Sequence, residues 1–180
     1  MKALIITWES FQDQELVYPF YRLREELPLE SVTVMANVTG KFYGIMGVNM
    51  TAHILLSELN NAENFEKYLS TYDILVLPGG VKALEKLRQE KQVIKFIEKW
   101  DACGKVIAST CHGAQLLISA KVVKGRKISG YYSLEDDINN AGATYVNAPV
   151  VIDRNIVSSP HYDHMGEWMA EAIKLTKKQS

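Results

Sequence analysis

Cys111 and His112 stand side by side in the segment VIASTCHGAQLL (106–117), where a short β-branched run meets an apolar helical pattern. In an open α/β sheet, ligands bind beyond the carboxyl ends of the strands, where loops converge and helix N-termini point N–H groups into a crevice. A tight strand-to-helix turn lifts the side chain at its apex into that crevice, the geometry called a nucleophile elbow. The small Gly113 and Ala114 permit such a turn here. Helix-end N–H groups favour thiolate and can lower a cysteine pKa from ~8.5 toward ~3.5–7.5, so Cys111 is expected to be a nucleophile at neutral pH. The competing reading is a small buried side chain after an apolar strand, a common fate of free cysteines. His112 is a candidate general base or a positioning residue. Consecutive side chains on a helix diverge by about 100°, so adjacency alone does not make a thiol–imidazole contact.

Two further strand ends offer groups that suit such a thiol. After the apolar run 3–7 comes WESFQDQELVYPF, which brings Glu9, Asp13 and Glu15 near the edge of Cys111 if both strands are central and parallel. A carboxyl beside a thiolate is raised in pKa by like charge and partial burial, so it stays protonated and donates a hydrogen bond to sulfur. The plainer role is charge at a helix N-terminus, which Asp13 suits. After 73–77 comes Pro78-Gly79-Gly80, whose glycine N–H groups are free to form an oxyanion site, although such a turn also simply ends a strand. Cys103, in WDACGK, sits at a helix end stopped by Gly104 and reads as inert.

These positions require a particular scaffold. Runs 3–7, 31–36, 73–77 and 105–109 read as strands; the first, third and fourth are nearly continuously apolar, as in strands covered on both faces of a parallel sheet. Helical spacing runs through Leu16, Val17, Phe20 and Leu23 (14–26) and through Val93, Ile94, Ile97 and Trp100 (91–102). The βαβα alternation predicts an α/β sandwich. The stretch GKFYGIMGVNM (40–50), apolar and glycine-punctuated, reads as a β-hairpin or an excursion from the main sheet, with a binding loop as the alternative. Beyond Cys111 the pattern predicts a helix at 112–120, a turn at Lys124-Gly125-Arg126 and a helix near 134–140. Paired strands about 150–152 and 156–158 follow around Asp153-Arg154-Asn155. A closing helix spans 161–174, and its tail, Lys177-Lys178-Gln179-Ser180, is expected to fray.

With 180 residues, 47% hydrophobic and 23% charged content and a net charge of -1, the chain reads as one globular domain over 1–180. It is neither disordered nor polyanion-binding, so nucleic acid is not an expected partner. The N-terminal apolar run is too short for a secretory signal and no stretch approaches membrane-spanning length. A cytoplasmic location, no membrane partner and two free thiols rather than a Cys103–Cys111 disulfide are expected.

Carried in order and at the right separations, these motifs resemble the ThiJ/PfpI superfamily, which includes PfpI-type intracellular proteases, the parkinsonism-associated deglycase and class III glyoxalases. FQDQELVYPFYRLREE is similar to its first helix and YDILVLPGG to its third-strand motif. VIASTCHGAQLLISAKVVKGRKIS is similar to its elbow and following helix, and LEDDINNAGATYVN with VVIDRNIVSS to its distal portion. His112 directly after the cysteine resembles the PfpI-like branch. The resemblance implies a flavodoxin-like three-layer α/β/α sandwich with a mostly parallel central sheet and a nucleophile elbow. It implies Cys111 as nucleophile, Glu15 as the protonated acid on its sulfur, His112 as base, Tyr131 as a proton donor in the pocket, and Gly80, next to Gly79, as a backbone donor. It also implies a homodimer or an assembly of dimers, in which a glutamate soon after the Gly-Gly turn reaches the histidine of a neighbouring subunit; Glu85 is the candidate, one residue out of register. There are departures. Gln12 stands where relatives often have a second glutamate, and Ala114 replaces a common proline. Ser159-Pro160-His161-Tyr162 stands where relatives read Ser-Arg-His-Pro, so the pocket arginine is absent. The added His161, Tyr162 and His164 imply an altered substrate preference.

Three functions are compatible with these residues. The first is a cofactor-independent, metal-free cysteine hydrolase or lyase acting on small reactive carbonyls: the Cys111 thiolate adds to an aldehyde such as methylglyoxal, and Glu15 with His112 or Tyr131 moves protons toward a hydroxy acid. The second is peptide or amide hydrolysis through a thioester at Cys111. The third is non-enzymatic, with Cys111 oxidised to sulfinate beside Glu15 in a redox sensor or holdase chaperone. A histidine beside the cysteine favours catalysis over sensing, and a small closed pocket would favour an aldehyde over a peptide.

Overall fold

The computed structural model describes residues 1–179. In chain order the elements are β1 (Ala3–Ile6), α1 (Asp13–Glu26), β2 (Val32–Ala36), β3 (Gly40–Tyr43), β4 (Asn49–Ala52), β5 (Ile54–Leu55), α2 (Ala62–Thr71), β6 (Ile74–Leu77), α3 (Val81–Leu87), α4 (Lys91–Ala102) and β7 (Val106–Thr110). They continue with α5 (Ala114–Ser119), β8 (Lys127–Ile128), α6 (Glu135–Asn140), β9 (Thr144–Tyr145), β10 (Val151–Asp153), β11 (Ile156–Ser159) and α7 (Met165–Gln179). Seven strands form the central sheet in the order β10-β11-β7-β6-β1-β2-β5. Every neighbouring pair is parallel except β10 with β11. The expected α/β sandwich with a mostly parallel sheet is the fold observed.

The apolar strands are buried on both faces because their alternate residues feed two separate cores. Leu4, Ile6, Leu75, Leu77 and Ile107 point into a cluster with Phe96 and Trp100 of α4. Ala3, Ile5, Val76, Val106 and Ala108 point the other way, onto Leu16 and Phe20 of α1 and Trp168 and Met169 of α7. This is the period-2 geometry of a strand applied to a covered sheet. It fixes β1, β6 and β7 side by side, so their carboxyl ends and the segments following them meet at one edge. Among the described residues no helix is long and apolar enough to cross a membrane.

The opposite edge is tied by a polar cluster. Arg126, only 7% exposed, donates to both Asp101 carboxylate oxygens at 2.9 Å and to Asn155 Oδ1 at 2.9 Å. Asn155 in turn donates to Asp101 at 3.0 Å and to the Lys105 carbonyl at 2.9 Å. The turn at Lys124-Gly125-Arg126 thus anchors the starts of β7 and β11. Arg126→Met would leave the Asp101 carboxylate without its cation, which costs about 3–5 kcal/mol. Thermal melts should show the midpoint falling by roughly 10 °C; a melt unchanged to within a degree or two would show that the cluster does not hold this edge.

Local differences from the sequence reading have simple causes. The segment expected as helix 112–120 is a 3₁₀ turn at Cys111–Gly113 followed by the short α5. The closing helix begins at Met165, after a 3₁₀ turn at Tyr162–His164. The tail is helical through Gln179, where Lys177 pairs with Glu26 at 2.6 Å and Gln179 donates to the Gly104 carbonyl at 3.1 Å. Ser180 lies outside the described residues.

Candidate active site

Cys111 leaves β7 with φ +55°, a left-handed conformation that an L-residue adopts only where its surroundings impose it. The chain reverses there, which projects the side chain from the sheet edge; this is the expected elbow. Gly113 lets the reversal lie against β6, since a Cβ on it would come 2.5 Å from the Leu77 carbonyl oxygen and 2.8 Å from Ser109 Oγ. Cys103 is exposed, Cys111 is buried, and both are free thiols.

The first turn of α1 brings Glu15 to the sulfur. Glu15 is fully buried, and its Oε2 accepts the Gly79 N–H at 2.7 Å. A Cβ on Gly79 would collide with that oxygen and lie 2.8 Å from Cys111 Cβ, so glycine is required where carboxyl and thiol approach. Gly80 holds φ +110° and is close to the backbone of Phe11 and Gln12. The backbone amides of His112 and Gly80 both favour the ionised form of Cys111.

Burial pushes the Glu15 carboxyl up to about 7, against the hydrogen bonds from Cys111 and the Gly79 amide that pull it down. Burial, and after it the Glu15 charge, push the Cys111 thiol well above its ordinary range, against the His112 and Gly80 amides. The expectation of a thiol acidified by a helix end is therefore corrected: α5 is short, it begins only after the 3₁₀ turn, and desolvation outweighs its end. What the site has instead is a buried carboxyl beside a buried thiol, with the carboxyl ionising near 7 and the thiol held protonated well above that.

His112 approaches more closely than helical divergence suggests. Because Cys111 sits at the reversal, His112 Nδ1 lies 3.3 Å from Cys111 Sγ. Burial lowers its pKa, so the ring is neutral and able to accept a proton at pH 7. Tyr131 stacks on the imidazole with ring centroids 4.6 Å apart, and its amide donates to the Cys111 carbonyl at 3.1 Å.

A cleft of about 270 Å³ opens above the sulfur, lined by Gln12, Glu15, Gly80, Cys111, His112, Tyr131 and His161, together with Ile45, Val81 and Tyr162. Neither Glu9 nor His164 lines it. Glu85 is exposed on the outer face of α3 and is outside the cleft of its own chain. Ile45 and Val81 are absent from the sequence reading. The signal for Ile45 is in the hairpin: Asp13, which is buried rather than a solvated helix-end charge, accepts the Met46 and Val48 amides at 2.8 Å each and pins the turn over the site. The stretch 40–50 is thus a hairpin, as expected, and its turn reaches the cleft. A larger groove of about 590 Å³ between α1 and the start of α7 holds no nucleophile.

The model of the DJ-1/PfpI family matches residues 1–175. The chain belongs to the DJ-1/PfpI family. It is 39% identical over 177 residues to Deglycase TK1284 of Thermococcus kodakarensis, covering 98% of this chain and 100% of that one. It is 38% identical, with the same coverage, to Deglycase PfpI of Pyrococcus furiosus. The structure of Schizosaccharomyces pombe DJ-1, 21% identical, has the same fold with a TM-score of 0.81, covering 100% of this chain and 92% of that one. The flavodoxin-like arrangement of this DJ-1/PfpI member is therefore that of its structural neighbours.

Proposed function

We propose that the protein is a deglycase-type enzyme that uses Cys111 to attack small 2-oxoaldehydes or their adducts, releasing a hydroxy acid. The observation that carries this reading is the thiol at a left-handed elbow, 3.3 Å from a neutral imidazole and beside a buried carboxyl, at the floor of a cleft of about 270 Å³. The cleft suits a small carbonyl better than an extended peptide, and relatives at 38–39% identity carry the name deglycase.

In this reading the Cys111 proton passes to the Glu15 carboxylate as sulfur adds to the aldehyde carbon of methylglyoxal, and the new C–S bond leaves a hemithioacetal. The Gly80 amide steadies charge on the former aldehyde oxygen. His112 takes the C–H proton from that carbon and returns a proton to the adjacent ketone carbon, with Tyr131 serving the ketone oxygen. The first carbon is thereby oxidised to a thioester while the second is reduced to a carbinol. Water cleaves the thioester to lactate and restores the thiol, so methylglyoxal plus water gives lactate with no outside oxidant. From an adduct on an amine or thiol, that group departs as the C–S bond forms.

Assay with methylglyoxal, following lactate, and in parallel with a fluorogenic peptide, tests the proposal. Lactate formation without peptide cleavage is expected, and the reverse would overturn it. His112→Ala should lower kcat by about 10²-fold, the usual worth of a positioned base. A kcat within a factor of three of wild type would remove His112 from the mechanism.

A further inference from the structure

The cleft above Cys111 has one wall made almost wholly of rings. Tyr131 stands 6.2 Å from His161 and 5.5 Å from Tyr132, measured between ring centroids. His161 and Tyr162 meet at a tilt of 40° with ring centroids 3.8 Å apart, and His161 lies 6.2 Å from Tyr132. The Asp163 carboxylate lies 3.0 Å from His161 Nδ1. Ile45 and Val81, 50% and 45% exposed, line the same cleft with open apolar surface beside the reactive centre. Ile45 is not there by looseness of its loop. Its amide donates to the Phe11 carbonyl at 2.9 Å, and the Asp13 carboxylate clamps the rest of the same hairpin turn through the Met46 and Val48 amides. Among the described residues no lysine or arginine lines the cleft, and Pro160 stands just before His161.

We propose that Tyr131, His161 and Tyr162, faced by Ile45 and Val81, form a subsite for an aromatic or branched apolar substituent, so that the enzyme favours neutral aryl-substituted 2-oxoaldehydes over anionic ones. The subsite deepens the reading of Cys111 as a carbonyl-attacking thiol and, for substrate preference, rests on it. A flat ring entering between the two walls stacks on tyrosine and imidazole faces and covers Ile45 and Val81. A carboxylate or phosphate in the same place would meet the Glu15 carboxylate with no cation among the described lining residues to offset it. The chemistry is unchanged: phenylglyoxal plus water gives mandelate by the same internal transfer.

The test compares kcat/KM for phenylglyoxal, methylglyoxal and hydroxypyruvaldehyde phosphate in wild type, Tyr162→Ala and Ile45→Ser. Phenylglyoxal should lead methylglyoxal by about tenfold, the phosphate should be slowest, and each substitution should lower the phenyl-to-methyl ratio at least about threefold. A phosphate substrate equal to methylglyoxal, or a ratio untouched by both substitutions, would overturn the subsite. A second arm separates it from the chemistry. Acetophenone, which has no aldehyde, is titrated into Cys111→Ala while the Ile45 and Val81 methyl resonances are followed, with benzoate as the charged control. Shifts with acetophenone but not benzoate, weakened by Tyr162→Ala, support the subsite even if no aldehyde is turned over, a result that would defeat the carbonyl reading alone. Methyl resonances that do not move with acetophenone overturn the subsite whatever the kinetics.

Discussion

Cys111→Ala is expected to abolish lactate formation from methylglyoxal, a loss on the order of 10⁴-fold, because every step after binding occurs on the sulfur. The loss should come without unfolding. Alanine keeps the backbone options of any L-residue at φ +55°, and the side chain removed is small and 6% exposed. A melting temperature within a few degrees of wild type, measured on the same sample, separates lost chemistry from lost structure. Cys111→Ser is expected to be nearly as inactive, since an alcohol in this buried position ionises far less readily than a thiol. Cys103→Ser, on an exposed thiol away from the cleft, is the matching control and should leave turnover intact.

Glu15→Gln carries the second large effect, and its signature is in pH. With the carboxyl pushed up to about 7, wild-type kcat/KM should rise with pH through that value, as the pair passes from two protons to one, and then level. Glutamine cannot receive the sulfur's proton, so at pH 7 activity should fall by about 10²-fold. The ionisation near 7 should disappear, and activity should recover only as alkali removes the thiol proton directly. A variant that kept the wild-type profile would show that Glu15 does not take part in proton transfer. Stability should move the other way. A carboxyl whose folded pKa of about 7 lies above its ordinary 4.5 favours the fold fully below the unfolded value, and that contribution is lost as pH rises through the folded one. Wild type should therefore lose on the order of 3 kcal/mol between pH 4.5 and 8 through this group. The glutamine variant should not, making it the more stable protein at pH 8 although the less active one. Urea melts of both proteins at the two pH values check the sign.

How far the site is legible in the sequence depends on how local each contribution is. The elbow is legible because a β-branched run, a cysteine and two small residues must reverse within four positions, and the Gly113 contacts with Leu77 and Ser109 bear out the need for a small residue. Glu15 and the Pro-Gly-Gly turn are legible because continuous apolar runs mark β1 and β6 as covered parallel strands, whose carboxyl ends must adjoin. The state of the thiol is not legible: a dipole argument is local, whereas the desolvation that overrides it is a sum over everything packed around the sulfur. Ile45 and Val81 are hidden for a related reason. Each is an ordinary apolar residue, and only the long-range clamp of Asp13 on the hairpin, or the start of α3 directly after Gly80, brings it to the cleft. The elements that escape the sequence pattern are those with little period to display. β5 is two residues long, and α2, AENFEKYLST, buries only Phe65 and Tyr68 and is marked chiefly by its Asn61 cap.

Rapid-quench mass spectrometry with carbon-13 methylglyoxal, on the intact chain and its digest, reads whether the Cys111 sulfur becomes joined to the carbonyl carbon during turnover. One labelled equivalent is expected on the peptide bearing Cys111, formed and discharged no more slowly than lactate appears, and accumulating less in Glu15→Gln at pH 7. Lactate released at the full rate with no label passing through Cys111 would contradict it.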